Sequence, residues 1–325
     1  MNATARARRT SVALALLAVY LIWGSTYLAI LEAINTIPPL AMAAMRFVAA
    51  GLPLLLWVRW KNGAWPARAA WGWSAVAGVL MFAGGNGAVV WSEKTVPSGL
   101  AALIVASVSF WTVLLEGLRP GGQRQSLSVW LGIALGFLGL LVLIGPDAWN
   151  GAGPVPLLGA IVLVLGSLLW AIGTLISVTT VKRGLASGLG LSALQMLFGG
   201  IGLAVAAGLH GEWQVLDLSA ISARSWAAVA YLIVAGSLVA FSAYNWLLGN
   251  TSPAVATTYA YVNPVVAMLL GWLFVGEPFT PRIMVASILI LGAVATIIRA
   301  RTKPPKLQSQ SSAVETKPAV AREAS

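Results

Sequence analysis

A few polar side chains set inside long apolar runs are the residues with the means to do chemistry. Arg46 stands about two turns into one such run, too deep for its stem to carry the charge easily to water. An arginine at a bilayer centre costs roughly 3 kcal/mol on insertion scales, so it needs a partner or a wet cavity. Two readings stand. Arg46 is a fixed positive charge facing a carboxylate or other anion, or a structural group that caps carbonyls or pairs with Glu93. Asn86 and Glu93 are seven residues apart and share one helix face. They could line the outer half of a path, with Glu93 as a candidate proton carrier, or Glu93 and Lys94 could simply meet water. The densest polar cluster is Tyr244, Asn245, Thr257, Thr258, Tyr259, Tyr261 and Asn263. Next to it, Pro264 removes a backbone donor and frees a carbonyl near Ala260, which suits a ligand contact or a hinge. The competing reading is hydrogen bonding between helices, worth about 0.6 kcal/mol per bond.

Fifteen tryptophans need sorting. Those at the ends of apolar runs, such as Trp57, Trp60, Trp65, Trp71 and Trp73, fit an interfacial belt. Trp23, Trp91, Trp111, Trp170 and Trp246 lie deeper or recur along the chain. Tyr20, Trp23 and Tyr27 share one face, which suits an apolar or cationic ligand, or plain helix packing. Other chemistry is poorly supplied. There is no cysteine and a single histidine, His210, in a polar loop, so neither thiolate catalysis nor a His-based metal site is expected. No Walker-type phosphate loop, paired carboxylates or charged ring is present, which argues against an enzyme, an ATP-driven pump and an ion channel. No cofactor is expected.

The elements that position these residues follow from composition. Hydrophobic residues make up 59% of the 325, and charged residues only 9%, against roughly 25% in soluble domains. So few charges cannot cover a soluble fold. The expected class is an all-α membrane protein, because the apolar runs are continuous and lack period-two alternation. Ten spans are expected, near 11–31, 38–58, 71–92, 98–118, 127–146, 154–181, 187–208, 225–248, 252–275 and 281–299. Arg6, Arg8 and Arg9 precede the first run and invite a signal-peptide reading. The run is about twenty residues long, however, and lacks a small-x-small cleavage site. The link 209–224 has room for a short surface helix. The net charge of +11 is scattered between apolar runs and reads as a topology signal, not a nucleic-acid surface. With the N-terminus inside, sixteen Lys/Arg fall in cytoplasmic segments, and only Lys94, Arg224 and Arg282 fall outside. Both termini are then cytoplasmic. Residues 1–10 form a short leader to the first span, and the polar stretch 300–325 is expected to be a disordered tail. Gly132 and Gly136 form a GxxxG that permits close packing within the chain or in a weak homodimer.

The sequence echoes itself. Trp91 and Trp246 are 155 residues apart, as are Ser109 and Pro264; Arg46 and Gln195 are 149 apart. Two five-span units, 11–146 and 154–299, explain this, and an odd number of spans makes the second inverted in the membrane. The set Leu21–Thr26, Met45–Phe47, Thr95–Ala102, Ser252–Pro264 and Leu270–Pro278 resembles the EamA-type family of the drug/metabolite transporter superfamily. The likeness covers nearly the whole of 11–299. It departs at Ser109, where a proline is common and a straighter fourth span is expected. It departs also at Pro120–Gly122, where a Gly-Glu-Pro turn is missing. The resemblance implies a ten-helix carrier of the bacterial inner membrane that exports amino acids, related metabolites or amphipathic compounds. The expected mechanism is alternating access around a cavity between the units. Trp23, Arg46, Asn86, Trp91, Trp111, Trp170, Gln195, Tyr244, Asn245, Thr257, Tyr261 and Asn263 are candidate contacts, with Glu93 for coupling and Pro264 as hinge. A broad drug exporter and a non-transporting receptor or scaffold are the alternatives.

Overall fold

The computed structural model describes residues 3–118, 125–146, 155–186, 188–251, 253–256 and 258–302. Thr257, the Pro120–Gly122 link and the tail beyond 302 lie outside the described residues, as does the side chain of Tyr261. Among the described residues the fold is entirely helical, with no strand. The long helices are α1 (Ala3–Ile34), α2 (Pro39–Asn62), α3 (Arg68–Ser92), α4 (Ser98–Leu118), α5 (Leu127–Ile144), α6 (Leu157–Lys182), α7 (Gly188–Leu209), α8 (Ala223–Asn250), α9 (Tyr259–Val275) and α10 (Pro281–Thr302). Eight of them are long and apolar enough to cross a bilayer. The stretches Val262–Val275 and Pro281–Ile297 of α9 and α10 are apolar but shorter. The 209–224 link does hold short helices, Glu212–Val215 and Leu218–Ala220.

Most helices bury one stripe and leave the other to lipid, while α4 is buried nearly all round from Ser98 to Phe110. On α1, Val19, Trp23, Thr26, Ile30 and Ala33 are buried at alternating four- and three-residue steps, while Leu14, Leu17 and Leu21 are exposed. Small residues set the closest approaches. A side chain at Gly51 would meet the backbone of Leu197 on α7, and one at Gly200 would meet Val48 on α2. Gly132 and Gly139 of α5 lie against Ile297 and Ile290 of α10, so the GxxxG face is used inside the chain.

The packing is paired. Extensive contacts join α2 to α7, α3 to α6 and α5 to α10; α1 packs on α8 and α9, and α6 packs also on α4. Exchanging each helix for the one five places on maps this set of contacts onto itself.

Three helices depart from α geometry midway. In α3 the residues Val79–Asn86 form a π-helix, and in α8 the residues Leu232–Phe241 do the same. Both stretches carry Gly-rich or Gly-Ser steps, Gly84–Gly85 and Gly236–Ser237. π segments widen the turn and often accompany functional sites. The fourth span, expected to be straighter than the ninth, is interrupted at Ala106–Ser107, between Ser98–Val105 and Val108–Leu118. There Ser107 donates to the Ile104 carbonyl and Ser109 to the Ala106 carbonyl, three residues back in each case. A tightened turn interrupts this helix without a proline. The ninth span is interrupted before Tyr259, where Thr258 N–H bonds three residues back to Val255, and α9 runs unbroken through Pro264.

Candidate functional site

A cavity of about 700 Å³ of non-atom space, its open mouth included, lies among α1, α2, α3, α4, α6, α8 and α9. Its aromatic wall is built by rings that α1, α2, α3, α6, α8 and α9 bring together. Trp23 meets Trp170 edge to face at 6.0 Å and Tyr259 at 5.1 Å, and it stacks with Phe241 at 6.4 Å. Phe82 bridges Trp170, Phe241 and Phe47 at 5.8, 4.9 and 4.4 Å. Phe82 and Phe241 belong to the two π segments. Trp23 Nε1 donates to the Gly236 carbonyl at 3.1 Å, which fixes the indole against the π segment of α8.

The polar wall is Arg46, Asn86 and Asn263 with Thr26, Tyr27 and Ser167. Arg46 is buried; its Nε donates to Ser237 Oγ at 2.9 Å, and its Cζ lies 4.6 Å from the Phe47 ring centroid. Its Nη1 has no hydrogen-bond partner, nor has Asn86 Oδ1. A buried donor and a buried acceptor left open in one cavity are costly unless water or a ligand meets them. A methyl group at Gly236 would come within 2.8 Å of Arg46 Nη2, so this glycine keeps room for the guanidinium.

The floor of the cavity is tied between α1 and α9. Tyr20 Oη hydrogen-bonds Thr258 Oγ1. Oriented to satisfy its neighbours, the Asn263 amide nitrogen donates to the Tyr20 and Tyr259 carbonyls at 3.2 and 3.3 Å. At the other end, Glu277 accepts from Ser98 N–H, Ser98 Oγ and Gly99 N–H at 2.6, 2.7 and 2.9 Å, capping α4. Glu212 likewise accepts from Ala41 N–H at 2.8 Å, near the start of α2. Both caps place a carboxylate at a helix N-terminus, where dipole and free N–H groups favour it.

Of the sequence candidates, Trp23, Arg46, Asn86, Trp170 and Asn263 line the cavity together. Gln195, Tyr244, Asn245, Trp91 and Trp111 do not. Tyr244 is fully buried behind Trp23, with ring centroids 5.1 Å apart and its hydroxyl 3.3 Å from Thr174 Oγ1. Asn245 Nδ2 donates to Ser192 Oγ at 2.8 Å and Gln195 Oε1 at 3.3 Å, and Gln195 Nε2 donates to Ser177 Oγ at 2.6 Å. Trp111 packs on Phe137 of α5. Pro264 is buried within α9. Glu93 caps the end of α3, two turns or about 10 Å beyond Asn86 along the axis. It shares the face but not the cavity. It is buried, both carboxylate oxygens lack a hydrogen-bond partner, and no ion pair with Arg46 forms. Phe47, Phe82 and Phe241 are lining residues that the sequence reading did not assign to the site, whereas Tyr259, which also lines it, belongs to the polar cluster read from the sequence. The Gly steps at 84–85 and 236–237, which mark the π segments, were the available signal.

Helical runs long enough to span a bilayer, lipid-facing apolar stripes and an internal polar-aromatic cavity define a multi-pass membrane protein. The description "EamA-like transporter family" matches residues 10–145 and again 157–299. The chain belongs to that family. It is 39% identical over 286 residues to the Escherichia coli protein "Uncharacterized inner membrane transporter YedA", covering 87% of this chain and 89% of that one. It is 26% identical over 278 residues to an E. coli "Probable amino-acid metabolite efflux pump", covering 85% and 90%. A solved crystal structure superposes with a TM-score of 0.63 at 19% identity, over 90% of this chain and 99% of the other, a likeness of fold alone. The protein is thus a multi-pass transporter of the inner membrane.

Proposed function

We propose that the chain is a secondary carrier that exports amino acids or related small metabolites by alternating access. The observation that carries this reading is the open Arg46 Nη1 in an aromatic-walled cavity. A guanidinium offers a carboxylate a forked, charge-assisted contact. Asn86 Oδ1 offers an acceptor to an ammonium group, and the rings around Trp23 suit an apolar side chain or a cation over a π face. The likeness to an amino-acid efflux protein supports the same class.

The architecture that goes with it is two inverted five-helix repeats, 11–146 and 154–299, with both termini cytoplasmic. Support comes from the self-mapping helix pairs, the π segments in α3 and α8, and the two consecutive family matches. The interruptions in α4 and before α9 are the hinges, and the Glu277 and Glu212 caps hold the end opposite the Tyr20–Thr258 tie. Glu93 is the candidate for proton coupling, since it is a buried carboxyl with no hydrogen-bond partner on either oxygen. A second reading, broad export of amphipathic compounds, is favoured by the ring cluster alone.

Efflux from liposomes preloaded with labelled amino acids, with and without a pH gradient, tests the proposal. Saturable efflux of amino acids is the expected result. If that efflux follows the pH gradient, Glu93→Gln should uncouple it. Efflux of amphipathic cations but of no amino acid would overturn the substrate class.

A further inference from the structure

Away from the cavity, a groove with about 890 Å³ of non-atom space, open solvent included, lies where the α2–α3 link meets the α6–α7 link. Its floor is apolar, with Trp57, Val58, Leu185 and Leu189, and Lys61 and Asn62 stand on its rim. The surrounding helix ends add Arg59, Arg68, Lys182 and Arg183, while residues 57–68 and 182–190 contain no Asp or Glu. Among the described residues none of these five cations has an ion-pair partner. Three are instead parked over indoles. Lys61 Nζ lies 4.8 Å from the Trp57 ring, Arg59 Cζ 5.7 Å from Trp65, and Arg183 Cζ 5.2 Å from Trp73. Cation–π contact holds the side chains in place without neutralising them. Trp57, Trp60 and Trp65 are exposed beside them, as rings at a membrane–water boundary are.

We propose that this groove is a binding site for the phosphate headgroup of an anionic phospholipid. Uncompensated cations meet the phosphate diester, and the apolar floor takes the first carbons of an acyl chain. A zwitterionic lipid carries the same phosphate, but its own ammonium would face the cation cluster, so the site discriminates by headgroup charge. The chain's tail is not the complementary occupant, because residues 303–325 hold four Lys/Arg and two Glu. Basic pockets between helices are an established means of holding acidic headgroups.

The test is native mass spectrometry of the full chain in neutral detergent, titrated with phosphatidylglycerol, phosphatidylcholine or inorganic phosphate. The wild type should retain one phosphatidylglycerol in preference to phosphatidylcholine by roughly tenfold. Arg59→Gln/Lys61→Gln should bring that ratio near one, whereas Lys61→Arg should keep it. Lys94→Gln, an exposed lysine at the far end of α3, should also keep it. Should the double variant not fold, Arg183→Gln on the other link carries the same expectation. An unchanged ratio in the folded glutamine variants, or an equal loss in Lys94→Gln, would overturn the site. Displacement of the lipid by inorganic phosphate at equal concentration would assign the site to the free ion.

Discussion

The two halves of the chain bend alike but spend their polar residues differently. Both third spans carry a π segment, and both fourth spans are interrupted. Yet Arg46 on α2 and Gln195 on α7, which occupy corresponding places in the sequence echo, have opposite fates. Gln195 is closed into a relay running from Asn245 to Ser177 and on to the Gly173 carbonyl. Arg46 spends one nitrogen on Ser237 and leaves Nη1 open to the cavity. A neutral relay in which Gln195 is bonded on both sides does the work of helix packing, although Asn245 Oδ1 within it is left without a partner. An open buried charge costs stability and is kept where something must be bound. The halves place their π segments and interruptions in corresponding helices, and the first supplies the charge.

The largest effect should follow from removing that charge. Arg46→Gln should lower transport kcat/KM by about tenfold to a hundredfold, the range for losing a charged hydrogen bond, measured as initial efflux from liposomes. Crowding the guanidinium comes next. Gly236→Ala should lower the same parameter by about tenfold through displacement of Arg46, with little change in Tm. The turn that joins the halves is a smaller matter. Glu277→Ala strips three hydrogen bonds from the start of α4 and should cost about 1 kcal/mol of stability, read as a lower Tm in detergent. The corresponding link, Pro120–Gly122, offers no such carboxylate. The smallest effect belongs to the relay. Gln195→Leu should cost about 0.6 kcal/mol and leave transport within about twofold. Should Gln195→Leu abolish efflux while Arg46→Gln is silent, the comparison is reversed.

Much of the fold was legible because continuous apolar runs have few structural solutions in lipid. The resemblance carried the family, and the 155-residue echo of Trp91 and Trp246 pointed to two like halves. The candidate site was legible only where depth gave a residue away. Arg46, Asn86, Trp23 and Trp170 stood out because polar or bulky groups at mid-span are conspicuous. Gln195, Tyr244 and Asn245 looked the same in sequence, since periodicity gives a residue's face but not the neighbour that satisfies it. Phe82 and Phe241 were hidden for another reason. A π segment shifts the helical phase, so a face counted at 100° per residue misses them. Glu93 shows the limit of sharing a face, because its height along the axis removes it from the cavity that Asn86 lines.

The most direct test of the central claim is a paired-substrate measurement. Counterflow of an aromatic amino acid and of its decarboxylated amine would be compared in liposomes bearing wild type or Arg46→Gln. The account predicts that wild type prefers the amino acid by about tenfold or more, and that Arg46→Gln loses the preference by slowing the amino acid alone. Equal preference in both proteins would contradict it, since Arg46 would then not be reading the carboxylate.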